Sequence, residues 1–165
     1  MAQPDAALAR AGFHVVVPDQ RGYSPGARST DDADYTIDHM VADTIAIADH
    51  FHAKKFDLVG HDWGAGVAWA TAIAHPDRLK TLTAVSVPHA AAYAKASEDP
   101  NGEQHNTMRY YGTADCCLGP DAADFTKHYV DAPFAYRLRE GVSHWIPEAD
   151  SVQLVAYLRD MFASY

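Results

Sequence analysis

The chain is poor in cysteine, and its only two cysteines are neighbours, Cys116 and Cys117. Adjacent cysteines rarely meet disulfide geometry, so we expect no disulfide framework and a reducing, cytoplasmic setting. Basic residues are also few, with 13 Lys and Arg against 22 Asp and Glu, which gives a net charge of −9. Because no basic cluster occurs either, we expect neither a nucleic acid nor an anionic membrane as a partner.

Long apolar runs are missing as well. No apolar stretch approaches ~18 residues, so we expect no membrane span, and the first residues lack the basic start and apolar core of a signal peptide. The ten histidines are scattered, without an HExxH motif or a Cys/His cluster, so we expect no metal and no other cofactor. With 165 residues, 48% of them hydrophobic, the chain is predicted to be one globular domain over residues 1–165 that acts on a small molecule.

Short runs rich in β-branched residues alternate with helical patterns, which is typical of a parallel α/β sheet. The fold class predicted is therefore α/β, with an open, mostly parallel sheet of about five strands and helices on both faces. The predicted strands are His14–Val17, Phe56–Val59, Thr81–Val87, Arg109–Gly112 and Phe134–Leu138, and the main helices are Ala6–Ala11, Thr36–Phe51, Ala65–His75 and Ser151–Ala163.

The most informative motif is Gly60-His61-Asp62-Trp63-Gly64, which stands between a predicted strand and a predicted helix. It matches the nucleophile elbow G-x-Nuc-x-G, with Asp in place of Ser. We expect both glycines to be required, because a Cβ at Gly60 or Gly64 would clash where the chain reverses. The following helix directs its free N–H groups and positive dipole end at Asp62, which favours the ionised carboxylate. The alternative is a structural Asp that caps the helix; the strand and both glycines favour a nucleophile.

A carboxylate nucleophile forms an ester that must then be hydrolysed, which calls for a histidine to activate water and an acid to orient it. In elbow folds these two residues follow the nucleophile in the order acid, then histidine. His144 precedes the last helix and is the predicted base, with a histidine in a surface turn as the alternative. Asp115 is the preferred acid, and its competitors are Asp121, Asp124 and Asp131.

A second motif, Gly22-Tyr23-Ser24-Pro25-Gly26, matches the serine form of the elbow. The residue after the nucleophile must donate its backbone N–H to an oxyanion, and Pro25 has none. The segment also runs into a polar loop rather than a helix. Ser24 is therefore not expected to be the nucleophile.

Four segments resemble the α/β-hydrolase superfamily, specifically its epoxide-hydrolase-like branch. The resemblance implies that Asp62 opens an epoxide ring, that His144 activates water, and that Asp115 orients His144. It also implies that the Trp63 N–H supplies half of an oxyanion hole, while His61, Tyr93 and Tyr111 are candidates to line the substrate site. The segments are Val17–Ser24, Leu58–Ala65, Ser86–His89 and Gly141–Glu148.

The chain departs from this branch in two ways. By comparison with that branch, we expect the His-Gly-Phe-Pro-like turn that gives the second oxyanion N–H to be missing, and residues 90–108 to be a remnant of the helical cap. Because a strand of the family sheet is then missing, we expect the His14–Val17 strand to pair directly with the elbow strand, or a second copy to fill the space in a homo-oligomer. An esterase, a dehalogenase and a non-catalytic remnant that binds a ligand or partner stay open as alternatives.

Overall fold

A computed structural model describes residues 4–98, 101 and 144–164 of the protein. Its centre is a parallel pair of strands, β1 (Phe56–His61) and β2 (Leu79–Val85). Gly60 lies opposite Ala84 and His61 opposite Val85, so both strands end at the same edge. Near the other end, the Thr81 hydroxyl donates to Asp57 Oδ1 at 2.8 Å across the pair. The strand ends therefore lie side by side where ligands bind in such sheets.

The two strands are joined by a helix of mostly small residues, α3 (Trp63–Ala74), and a short 3₁₀ turn (Pro76–Arg78). Small side chains let α3 lie close to the sheet, and the buried Thr71 hydroxyl is satisfied by donating to the Val67 carbonyl at 2.8 Å. Ala72 and Leu79 are the buried centre of this layer. The buried side chains of α3 are Ala65, Val67, Ala68, Thr71 and Ala72.

Helix α2 (Ile37–His50) packs on α3, with Val41 and Ala48 buried on its inner face. Its C-terminal end is joined to the turn before β2 by Arg78, which donates to the Lys54 carbonyl at 2.9 Å and to Asp49 Oδ1 at 2.6 Å. Helix and turn are therefore joined by charge-assisted hydrogen bonds.

A second core cluster forms where helices from the two ends of the chain meet. These are α1 (Pro4–Arg10) and α6 (Ser151–Ala163), which pack against each other. Their buried side chains surround Val85 of β2, and the rings of Phe13 and Phe162 meet edge-on with centroids 5.3 Å apart. The cluster consists of Leu8, Val85, Leu154 and Leu158. Helices therefore form separate clusters with β2, as an α/β fold requires.

The remaining elements are short. Two 3₁₀ turns, Pro25–Ala27 and Asp32–Tyr35, lie in the loop before α2. Helix α4 (Ala90–Ser97) follows β2, and α5 (Ile146–Ala149) precedes α6. Across the described ranges, none of the helices combines the length and the apolar character that a membrane crossing needs.

The predicted α/β class is confirmed, but one predicted strand is wrong. His14–Val17 forms no strand, and β1 pairs with β2 among the described residues rather than with this segment. Val15 packs on the second core cluster, while Val17 is 72% exposed. The segment is therefore held by the packing of side chains and not by backbone hydrogen bonds to a neighbouring strand. The Arg109–Gly112 and Phe134–Leu138 strand candidates lie outside the described residues, as do residues 99–100 and 102–108 of the 90–108 segment.

The sheet and α3 meet most closely at Gly60. A Cβ added there would overlap the Gly64 carbonyl oxygen and would lie 2.7 Å from Ala65 Cα, whereas one added at Gly66 meets nothing within 4 Å. We predict that Gly60→Ala lowers the free energy of unfolding by about 3 kcal/mol, because backbone must move to admit the methyl group. Gly66→Ala, the matched control inside α3, should raise it by about 0.5–1 kcal/mol. Urea unfolding followed by circular dichroism measures both, and a neutral Gly60→Ala would contradict the close approach.

Candidate active site

The sharp turn predicted at Asp62 is present in the structure. Asp62 stands between the last residue of β1 and the first of α3, with φ 53° and ψ −123°. A positive φ is strained for a residue with a Cβ, and such strain concentrates at functional sites. Gly60 makes the turn possible by the close approach described above. The expectation that Gly64 is needed for the same reason is wrong, because its added Cβ would lie 3.7 Å from Gln20 Nε2, an ordinary contact.

The carboxylate of Asp62 does not cap α3. No hydrogen bond joins its side chain to the first turn of the helix. Instead His144 Nε2 lies 2.9 Å from Asp62 Oδ1, and since an ionised carboxylate only accepts, Nε2 is the donor. The two residues are 82 positions apart in the chain. The side chains are 35% (Asp62) and 42% (His144) exposed, so water and a small molecule can reach both.

The backbone of His144 is held by the ends of both strands. His61 Nε2 donates to the His144 carbonyl at 2.9 Å, and the Ser86 hydroxyl donates to the same oxygen at 2.8 Å. The local turn adds a third donor, the Ile146 N–H at 2.9 Å. Ser86 has a positive φ of 65°, the second strained non-glycine residue beside the site. The sequence-based prediction placed Ser86 inside the Thr81–Val87 strand and missed this contact; the observed strand ends one residue before Ser86, at Val85.

Aromatic side chains surround the pair of histidines. The His61 and His144 rings have centroids 4.9 Å apart, and the Trp145 ring lies 5.7 Å from His144 and 5.9 Å from His61. Trp63, the first residue of α3, is 55% exposed next to Asp62. Its backbone N–H belongs to the first turn, where N–H groups have no acceptor within the helix. The site therefore combines a carboxylate, an imidazole, indole faces and a free backbone donor.

Of the remaining predicted site residues, the structure describes some and not others. Tyr93 lies on α4 with a half-buried side chain, and its role toward a substrate stays a prediction. Asp115 and Tyr111 lie outside the described residues, as do the competing acids, so the third member of the triad also stays a prediction. His89, at the end of the Ser86–His89 segment, packs edge-on against Trp69 with ring centroids 5.1 Å apart, and its burial lowers its pKa.

The serine motif does not form an elbow. Ser24 has φ −68° and ψ 133°, which is ordinary extended backbone, and it precedes a single 3₁₀ turn that starts at Pro25. The preceding Arg21 anchors this loop to α2 through a two-pronged ion pair, with Nε 2.9 Å from Asp43 Oδ2 and Nη2 2.8 Å from Oδ1. The hydrogen bond from Arg21 to Asp43 raises the pKa of the guanidinium. Within the described ranges, no group of His, Cys, Asp and Glu is arranged to hold a metal ion.

Comparisons with known proteins identify the family of the fold. Residues 5–130 match the family model described as the alpha/beta hydrolase fold. The chain is 38% identical over 127 residues to epoxide hydrolase A of Mycobacterium tuberculosis, covering 71% of this chain and 38% of that protein. It is 44% identical over 84 residues to epoxide hydrolase B of the same organism, covering 51% of this chain and 24% of that protein. The chain thus spans well under half the length of these curated relatives.

A solved structure extends the likeness of fold over most of the chain. It is a Q244E variant of a Pseudomonas aeruginosa protein named provisionally as an epoxide hydrolase, with a TM-score of 0.52 over 88% of this chain and 78% of that one. At 18% identity this likeness concerns the fold alone. The family model covers more than half of the sequence, and the structure has the strand, strained turn and helix of the elbow. The chain belongs to the α/β-hydrolase fold family.

Proposed function

We propose that the protein hydrolyses epoxides through a covalent ester on Asp62. The observation that carries the proposal is the 2.9 Å contact between His144 Nε2 and Asp62 Oδ1, which brings a base to the carboxylate of a strained turn. The relatives named epoxide hydrolases support the choice of substrate class. A remnant without activity would have no need to keep this pair together at the elbow.

The first step would form the ester. A carboxylate oxygen of Asp62 attacks a ring carbon, the carbon–oxygen bond of the ring breaks, and the released alkoxide takes a proton from a neighbouring donor or from water. Esterification then removes the negative charge of Asp62, so the proton on His144 Nε2 loses its acceptor. That proton passes to solvent while a proton binds Nδ1, where Asp115 would accept the hydrogen bond, so the imidazole stays neutral and Nε2 is left free to act as a base.

The second step would hydrolyse the ester. Neutral His144 takes a proton from water at Nε2 while the water oxygen attacks the Asp62 carboxyl carbon. The Trp63 N–H would stabilise the oxyanion. One such donor typically lowers the barrier by about 3–4 kcal/mol. Collapse breaks the bond to the substrate oxygen, which takes the proton from His144 and leaves as a diol. Asp115 would hold the imidazole, as the sequence predicts.

Dehalogenation by the same residues is a second candidate. The indole of Trp63 is 55% exposed directly beside the nucleophile, where its N–H can stabilise a departing halide. Esterase activity is less well supported, since acyl transfer to a carboxylate would give an anhydride. Halide release and diol formation, measured on matched halogenated and epoxide substrates, separate the two candidates.

The ester mechanism predicts where the oxygen of water goes. In a single turnover in heavy-oxygen water, the label should enter the carboxylate of Asp62, because water attacks that carbon and not the substrate. Mass spectrometry of the peptide that contains Asp62 measures this. Asp62→Asn should lower turnover by on the order of a thousandfold or more, and His144→Gln by a similar factor, since residues that act as a unit fail together. Label found in the diol alone would contradict the ester.

We also propose a cytoplasmic location and association of two copies of the chain. The low cysteine content supports the cytoplasmic location. The association is supported by apolar side chains that are exposed in the single chain, namely Val16, Val17 and Val59. Sedimentation equilibrium should give a dimer for the native chain, and Val17→Glu should shift it toward monomer because a charge would be buried on association. A monomer at all concentrations would contradict association.

A further inference from the structure

We propose that His61 and Ser86 are positioning residues that fix the catalytic base by holding the backbone of His144. The inference rests on the proposed function, since it assigns His144 the role of base. It adds two residues that never need to touch a substrate and that act through the carbonyl of residue 144. It also gives His61 a different role from the substrate-lining one expected from the sequence.

Three donors converge on that one carbonyl oxygen. The Ile146 N–H is local, two residues along the chain, and so cannot fix where residue 144 lies in the fold. The other two come from far away in sequence, His61 at 83 positions and Ser86 at 58. They belong to the end of β1 and the residue just after β2, which are neighbours in the parallel pair. Of the three donors, these two relate the backbone of residue 144 to the sheet.

The contact with His61 ties base and nucleophile together twice. His61 and Asp62 are consecutive; His61 holds the carbonyl of residue 144 at 2.9 Å, and Asp62 meets its imidazole at 2.9 Å. Because His61 contacts the carbonyl of His144 and Asp62 contacts its imidazole, the two contacts restrict the orientation of the His144 side chain as well as its distance from Asp62. The imidazole is thereby held within hydrogen-bond distance of the Asp62 carboxylate, and misplacement of a catalytic group by about 1 Å is costly.

Ser86 supports the same conclusion from its backbone. Its φ of 65° is in the left-handed region, which is unfavourable for a residue with a Cβ. Such strain persists only where surrounding structure fixes it, and it clusters at functional sites. Here the strained residue is the one whose hydroxyl reaches the His144 carbonyl at 2.8 Å. Glycine would relieve the strain but would lose the hydroxyl, which gives a direct way to separate the two effects.

The test measures the two chemical steps separately in single turnovers with styrene oxide. Ser86→Ala and Ser86→Gly should each slow hydrolysis of the Asp62 ester by roughly three- to tenfold, the usual effect of one lost hydrogen bond. Ester formation should change far less, because the base acts only in the second step. His61→Phe should behave like the serine variants, and His61→Gln should recover part of the rate since its amide can donate to the same carbonyl. Thr83→Val removes a hydroxyl that contacts Met161 and should leave both steps unchanged.

Several results would overturn the inference. A Ser86→Gly variant with native hydrolysis would show that the hydroxyl does no positioning. Equal slowing of both steps, or a smaller active fraction with unchanged rates, would indicate a purely structural role. Absence of any Asp62 ester in the native protein would instead contradict the proposed function.

Nuclear magnetic resonance of the histidine side chains tests the positioning without any turnover. The hydrogen bond to the carbonyl requires that His61 carry its proton on Nε2. Nitrogen chemical shifts should therefore show this tautomer, and the His144 Nε2–H resonance should weaken or vanish in a His61→Phe, Ser86→Ala double variant. A neutral His61 protonated on Nδ1, or an unchanged His144 signal in the double variant, would contradict the inference. This result does not depend on whether the Asp62 ester forms.

Discussion

The close approach between the end of β1 and the first turn of α3 is the constraint on which the site depends. Gly60 allows the backbone of the strand to come within contact of Gly64 and Ala65, closer than any side chain would permit. The chain must then reverse within two residues, and Asp62 takes the left-handed conformation that this reversal requires. The strained carboxylate is thus a consequence of packing, and the packing energy of α3 on the sheet offsets the cost of the strain.

The parallel pairing of β1 and β2 turns this local feature into a site. Because both strands end at the same edge, His61 and Ser86 stand side by side and hold one residue from a distant part of the chain. The last helix, α6, anchors that part through Leu154 and Leu158, which pack around Val85 close to the same strand end. Burial of apolar side chains therefore brings His144 near the elbow, and hydrogen bonds fix its final position.

The elbow could be predicted from sequence because its causes are local. A strand, two flanking glycines, a carboxylate and a helix occur within a few residues, and the order of residues in elbow folds then indicated His144. The strand at His14–Val17 was predicted wrongly because a strand exists only through a partner, and pairing is a property of the whole fold. The contacts of Ser86 depend on where residue 144 lies, 58 positions away, so sequence spacing contained no sign of them. Gly64 looked as necessary as Gly60, but which glycine faces a close neighbour is set by the packing of α3. Asp115 and Tyr111 lie outside the described residues and stay predictions.

The central claim is that Asp62 becomes covalently attached to the substrate while His144 removes the attachment. Intact-mass spectrometry of His144→Gln mixed with styrene oxide tests this most directly. The variant should gain the mass of one substrate molecule, the adduct should map to the peptide containing Asp62, and it should persist because no base activates water. If His144→Gln gains no mass, or carries the adduct on another residue, the account is contradicted.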